Sequence, residues 1–208
     1  VITEARAELG RTHQQVAGAA LSGGARLIQL REKRLGDRKL LEVARELRLI
    51  TREAGAALII NDRLDIALAS RADGVHLGPD DLPVAAARKL AGEELIIGAS
   101  VSNLEEAQAA AEAGATYLGV GSVYATGTKA DAGAPVGLEP VREIKKAVSL
   151  PVLAIGGITA ANAAEVIGAG ADGVAVVTAV SEAEDMAAAT RELLAAVDRA
   201  RQHRLGRE

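Results

Sequence analysis

Along the 208-residue chain, short β-branched or Leu-rich runs alternate with longer Ala-rich stretches whose apolar positions recur every three or four residues. The first kind reads as strand and the second as helix. Eight runs are of the strand kind: Val1 to Thr3, Arg26 to Leu30, Ala57 to Ile60, Gly74 to Leu77, Leu95 to Ala99, Tyr117 to Gly121, Val152 to Ile155 and Gly173 to Val177. Helical spacing shows in Leu40, Leu41, Ala44 and Leu47, in Ala107, Ala110 and Ala111, and in a last stretch from Asp185 to about Arg201. Strands that each lead into a helix close into a barrel when there are eight of them. A doubly wound open sheet has fewer strands and an early glycine fingerprint. The pattern therefore predicts the α/β class: a single (β/α)8 TIM barrel with a parallel, closed, eight-stranded sheet, one domain over residues 1–208. The chain does not begin with Met, so its first strand is expected to be truncated at the N-terminus.

A weak repeat marks one end of this barrel. Gly23-Gly24-Ala25-Arg26-Leu27, Ala72-Asp73-Gly74-Val75, Ala113-Gly114-Ala115-Thr116-Tyr117 and Gly168-Ala169-Gly170-Ala171-Asp172-Gly173 each close a helix and lead into a strand. Polar residues gather at the opposite strand ends, which in a β/α barrel form one mouth. There lie Gln29 to Lys33, Asn61-Asp62-Arg63, His76 to Asp81, Ser100 after the fifth strand, Thr126 to Lys129, Gly156-Gly157 and Thr178.

Charge and composition narrow the chemistry. The net charge of −4 is spread along the chain, which speaks against a nucleic-acid groove. No apolar run approaches the ~20 residues of a membrane span. With no Cys and three His, thiolate chemistry and a zinc site lack ligands, and a cytoplasmic enzyme is expected. The aromatic content is two Tyr, with no Phe or Trp, so a flat ligand must be gripped by aliphatic walls and hydrogen bonds. Oligomeric state is left open, a homo-oligomer included.

Strand alternation, continued past Leu30, puts Gln29, Arg31 and Lys33 on one side, where two cations suit a diphosphate. The competing reading makes them rim charges paired with Glu32 and Asp37. Asp62 and Asp81 come from neighbouring strand ends. Two carboxylates without Cys or paired His indicate a hard cation, Mg²⁺, held jointly with substrate phosphate oxygens. Asp80 competes with Asp81 for this role, one of the two serving as cap for a helix beginning near Pro83. Asp65 reads as a solvated helix residue.

The segment Val123 to Gly137 is long for a barrel connection, and its closure would bring Lys129 onto a phosphate. Gly157 after the seventh strand and Val177-Thr178 after the eighth make a monophosphate site from backbone N–H groups and a helix start. His76 reads as a packed or hydrogen-bonded residue before it reads as a base. No nucleophile elbow and no glycosidase carboxylate pair is present. Such a mouth suits a reaction driven by stabilising a leaving diphosphate.

Taken together, Gln29-Leu30-Arg31-Glu32-Lys33, Ile60-Asn61-Asp62-Arg63, Asp73 to Gly78 with Asp81, Gly98-Ala99-Ser100, Thr126-Gly127-Thr128-Lys129, Ala154 to Ile158 and Val176-Val177-Thr178 resemble the thiamine phosphate synthase family across nearly the whole chain. The resemblance implies a transferase that joins hydroxymethylpyrimidine diphosphate to thiazole phosphate, releasing pyrophosphate. It implies that Gln29 to Lys33, Asn61, Ser100 and Lys129 hold the pyrimidine diphosphate. It further implies that Asp62 and Asp81 bind Mg²⁺, and that Thr126, Gly127, Thr128, Gly157, Val177 and Thr178 hold the thiazole phosphate. Lys129, Arg31, Lys33 and Ser100 are the implied catalytic residues. Glu4, Ser102, Ser122 and Thr178 depart from the family's common Asp, His, Pro and Ser.

The nearest rival is the related thiazole tautomerase, which uses a His where this chain reads Gly121-Ser122-Val123-Tyr124. A non-catalytic barrel that binds a phosphorylated metabolite would have no reason to keep cations and carboxylates together.

Overall fold

Eight parallel strands follow one another in chain order through one sheet: β1 (Ile2–Thr3), β2 (Leu27–Leu30), β3 (Ala57–Asn61), β4 (Gly74–Leu77), β5 (Ile96–Val101), β6 (Tyr117–Val120), β7 (Val152–Ile155) and β8 (Gly173–Ala175). The Ile2 N–H donates to the Val176 carbonyl at 2.9 Å, just past the end of the last strand, which leaves the ring nearly closed. This computed structural model describes residues 1–127 and 134–206. The helices are α1 (His13–Ser22), α2 (Asp37–Glu53), α3 (Leu64–Ser70), α4 (Val84–Ala91), α5 (Leu104–Glu112), α6 (Glu139–Ala147), α7 (Ala163–Gly168), α8 (Thr178–Ser181) and α9 (Met186–Leu205). No helix among the described residues is long and apolar enough to cross a membrane.

The pattern of hydrophobic runs located every strand. Two ends moved by two residues and the others by one at most: β5 continues to Val101, so Ser100 lies within it and not after it, and β8 stops at Ala175 because the chain turns into α8. The helical periodicity did not separate α8, which is too short to show a period.

Alternation along the strands sorts their side chains into two populations. Ile28, Leu30, Leu58, Ile60, Val75, Leu77, Ile97, Leu118 and Val152 face the helices and form a core of aliphatic residues only. The other register points inward, where Gln29, Asn61, His76, Ser100, Tyr117, Gly119, Leu153 and Gly173 line the barrel interior. Parallel pairing sets His76 beside Gly98, and Gly98 beside Tyr117. Bulky residues thus share layers with glycines, because a ring of uniformly large side chains does not fit inside eight strands.

The repeated turns clamp the barrel's bottom. The residue just before β4, β6 and β8 exchanges two hydrogen bonds with the preceding strand. Asp73 accepts the Leu58 N–H at 2.8 Å, Thr116 the Ile97 N–H at 3.0 Å, and Asp172 the Val152 N–H at 2.8 Å. Their own N–H groups donate to the carbonyls of Leu58, Ile97 and Val152. Arg48 and Lys145 neutralise the two aspartates at 2.9 and 2.7 Å. After α1, α5 and α7 the chain turns through a glycine at positive φ, and after α3 Arg71 takes that conformation at φ 55°.

Candidate active site

The turn after β2 carries the cations. Gln29, Arg31 and Lys33 line a common cavity, whereas Leu30 is buried in the core and Glu32 turns inward against His13. The Arg31 guanidinium donates to Glu4 at 3.3 Å, and the Lys33 ammonium stands 3.8 Å from the Asp62 carboxylate. Neither cation takes the rim pairing that competed at the sequence level. Asp37 is bound by Arg63 at 2.8 Å, and Glu32 by His13 and Arg34.

The carboxylates come next. Asn61 ends β3, and Asp62 follows at φ 66°, a left-handed conformation that Asp tolerates better than most side chains. Its N–H donates to the His76 carbonyl at 2.8 Å, which fixes the kink. Asp81 is folded back by the Gly78 N–H at 2.7 Å, and its carboxyl hydrogen-bonds that of Asp62. Burial, together with the hydrogen bond and charge of Asp81, pushes the Asp62 carboxyl up to about 6; Lys33 and Arg31 pull the other way. Asp80 is exposed, and α4 begins at Val84 behind Pro83 without a side-chain cap, so neither aspartate caps it. Asp65 lies exposed on α3 against Arg63.

Below the mouth a polar chain crosses the interior. His76 meets the Tyr117 hydroxyl through Nδ1 and the Ser100 hydroxyl through Nε2, both at 2.9 Å, and Tyr117 also hydrogen-bonds Gln29. The His76 and Tyr117 rings stack at 5.5 Å. Burial drives the Tyr117 hydroxyl far above its ordinary range, so it stays protonated. Sequence reasoning missed Tyr117. The signal was present as Gly98 and Gly119 inside strands: a Cβ at Gly98 would meet the Tyr117 ring and His76, and one at Gly119 would stand 2.9 Å from His76.

At the far side Gly156 and Gly157 both adopt positive φ, and a Cβ on Gly157 would stand 2.6 Å from the Ala125 carbonyl. The glycine pair therefore lets the segment 122–125 lie against the end of β7. Gly157, Val177, Thr178 and Thr126 line the cavity, while Gly127 is exposed outside it. Thr128 and Lys129 lie outside the described residues. Tyr124 points away from the mouth, its hydroxyl donating to Glu165 on α7 at 3.2 Å.

Both sides open on one cavity of about 680 Å³, whose lining also includes Leu194 and Val197 of α9. A volume of that size suits small-molecule ligands. No group of three or more metal-ligating side chains occurs among the described residues, so a cation here would rely on the Asp62 and Asp81 pair and on ligand oxygens.

A family model described as thiamine monophosphate synthase matches residues 1–180. The chain belongs to the thiamine monophosphate synthase family. It is 55% identical over 197 residues to the thiamine-phosphate synthase of Chloroflexus aurantiacus, covering 95% of this chain and 91% of that protein. With the thiamine-phosphate synthase of Moorella thermoacetica it shares 56% identity over 192 residues, 92% of this chain and 91% of the relative. Among solved structures, the thiamine phosphate pyrophosphorylase from Pyrococcus furiosus superposes with a TM-score of 0.88 at 45% identity, covering 96% of this chain and 95% of that one. At 20% identity and a TM-score of 0.65, a 3-hexulose-6-phosphate synthase shares the fold alone.

Three departures from the synthase family's common residues now have surroundings. Glu4 binds Arg31 and Arg6, the latter at 2.8 Å, so the first-strand carboxylate orients a cation. The Ser102 hydroxyl donates to Glu106 at 2.8 Å, and both residues line the cavity. Ser122 is turned to the Tyr124 carbonyl at 3.2 Å.

Proposed function

We propose that the chain condenses hydroxymethylpyrimidine diphosphate with hydroxyethylthiazole phosphate, giving thiamine phosphate and pyrophosphate. The observation that carries this reading is the meeting of Arg31 and Lys33 with the Asp62 and Asp81 carboxylates, across one cavity from Gly157 and Thr178. The residues fit Mg²⁺. Two carboxylates forced together, one with its affinity for a proton raised to about 6, form a hard-oxygen site whose repulsion a dication relieves. When bound there with substrate oxygens, Mg²⁺ would neutralise charge on the leaving diphosphate.

Arg31 and Lys33 donate to the diphosphate oxygens, and Lys129 adds a third cation when its loop meets the substrate. Gln29, Asn61 and Ser100 orient the pyrimidine by hydrogen bonds, in place of stacking aromatics. Thr126, Thr128, Gly157, Val177 and Thr178 hold the thiazole phosphate. The bond from the pyrimidine methylene to the diphosphate oxygen breaks first, its electron pair leaving with pyrophosphate. The thiazole nitrogen lone pair then forms the new bond to the resulting cation. No proton need be removed from carbon or nitrogen, in keeping with a site whose His76 is engaged by Tyr117 and Ser100.

Incubation of the protein with both substrates and Mg²⁺ tests the proposal, with thiamine phosphate detected by chromatography. Absence of product while both ligands bind would overturn it in favour of a binding protein.

A further inference from the structure

Glu32 stands between the two cations of the β2 turn, yet it does not share their direction. Its side chain is only 6% exposed, and that of His13 only 4%. The His13 Nε2 lies 3.2 Å from Glu32 Oε2, and His13 Nδ1 lies 2.9 Å from the hydroxyl of Thr3, which is wholly buried at the end of β1. The second Glu32 oxygen accepts the Arg34 N–H at 2.5 Å. Burial alone would favour a protonated Glu32, but these partners hold its carboxyl below the ordinary range. A carboxylate only accepts, so Nε2 carries the hydrogen of that bond.

Such a buried, fully partnered charge fixes backbone as well as side chain. Arg31 and Lys33, on either side of Glu32 in the chain, line the cavity, while the Glu32 side chain is turned to His13. Anchoring the Glu32 side chain therefore sets the directions of Arg31 and Lys33. The anchor is itself rigid: His13 opens α1, and Thr12 with Gln15 closes a reciprocal capping box around it. The geometry points to His13 as a positioning residue that aims Arg31 and Lys33 at the diphosphate by holding Glu32. The inference rests on the reading that these two cations hold the diphosphate.

The test uses the full chain and measures Mg²⁺-pyrophosphate binding by calorimetry, inorganic phosphate binding at the second subsite, KM for both substrates and the melting temperature. His13→Asn keeps a nitrogen near the place of Nδ1 and loses the reach to Glu32. His13→Gln keeps a donor at the reach of Nε2. His13→Asn is expected to weaken pyrophosphate binding and raise the KM for the diphosphate substrate by roughly tenfold, as small misplacement of binding groups does. Phosphate binding and the KM for thiazole phosphate should stay within about twofold of wild type, and His13→Gln should recover most of the loss. If His13→Asn does not fold, Glu32→Gln supplies the same readout, with a selective loss of pyrophosphate affinity expected.

Lys33→Ala separates the two levels of the argument. If it weakens pyrophosphate binding while neither the His13 variants nor Glu32→Gln do, the positioning role is overturned and the subsite stands. Unchanged pyrophosphate affinity in Lys33→Ala overturns the subsite and the inference with it. Equal losses for both ligands, accompanied by a lower melting temperature and no recovery in His13→Gln, overturn the inference by showing a purely structural contribution.

Discussion

The Asp62 and Asp81 pair makes a prediction about the metal-free protein. Removing one of its charges, by Asp81→Asn, should stabilise the fold at pH 8 while removing its response to Mg²⁺. Asp62 is raised from 3.8 to about 6 in the folded chain by burial and by Asp81. An acid whose folded pKa is raised contributes stability that is fully present below the unfolded value. That contribution is lost as pH rises through the folded value, here from about 4 to about 6. A shift of about two pH units corresponds to about 3 kcal/mol. The Asp62 side chain is 27% exposed, so solvent screening reduces this to roughly 1–2 kcal/mol for burial and Asp81 together, an upper bound on what Asp81→Asn relieves. For a chain near 200 residues that is roughly 2–8 °C in melting temperature. Asn at 81 keeps an acceptor for the Gly78 N–H and offers Asp62 a donor, so the loop conformation should survive. Thermal melts with a chelator, at pH 5 and pH 8, give the apo stabilities; repeats with Mg²⁺ give the metal response. The wild type should lose stability between the two pH values and regain it with Mg²⁺ chiefly at pH 8, whereas the variant, in which burial still raises Asp62, should keep part of the pH change and lose the Mg²⁺ response. An apo melting temperature for Asp81→Asn below wild type at pH 8 would refute the carboxylate-repulsion argument.

Other predictions concern parts of the barrel that hold this mouth in place. Asp172→Ala removes the acceptor for both Val152 N–H and Lys145, and should destabilise by about 1–3 kcal/mol in denaturant unfolding. Gly98→Ala would push a methyl into Tyr117 and His76, and is expected to cost about 1–3 kcal/mol, with quenched or shifted tyrosine fluorescence as a second readout. Arg71→Gly relieves a left-handed residue at the end of α3, and should gain roughly 0.5–1 kcal/mol in the same unfolding assay. Lys129→Ala is expected to lower turnover by roughly 10²- to 10³-fold, measured as thiamine phosphate formed; near-normal turnover removes it from the mechanism.

The strands were legible because each is a short aliphatic run bounded by turn residues, and the cations and carboxylates because alternation and strand ends place them at one mouth. What escaped sequence reasoning depends on partners far apart in the chain. Nothing local to Glu32 says that it turns toward His13, and nothing beside Thr116 says that it binds the Ile97 N–H. Tyr117 was hidden because its inward place is made by missing side chains on neighbouring strands, at Gly98 and Gly119. The meeting of Asp62 with Asp81 was expected from their neighbouring strand ends, but the left-handed backbone at Asp62 has no sequence signature.

The two ends of the barrel also divide their tasks physically. At the bottom, Asp73, Thr116 and Asp172 each satisfy strand N–H groups, and the charged ones are neutralised. Apart from the left-handed Arg71, the local choices there agree with the fold. At the mouth the choices conflict: a left-handed Asp62, two carboxylates in contact and cations close by, with Arg31 paired to Glu4 and Lys33 no closer than 3.8 Å to Asp62. Conflicts of this kind persist only where the surrounding structure over-determines them and where a ligand resolves them. Under the proposed function a diphosphate with its cation would do so at once, since the anion would meet Arg31 and Lys33 while the cation would separate the carboxylates. On that proposal the mouth is least stable when empty, and the bottom clamps supply the stability that lets it remain so.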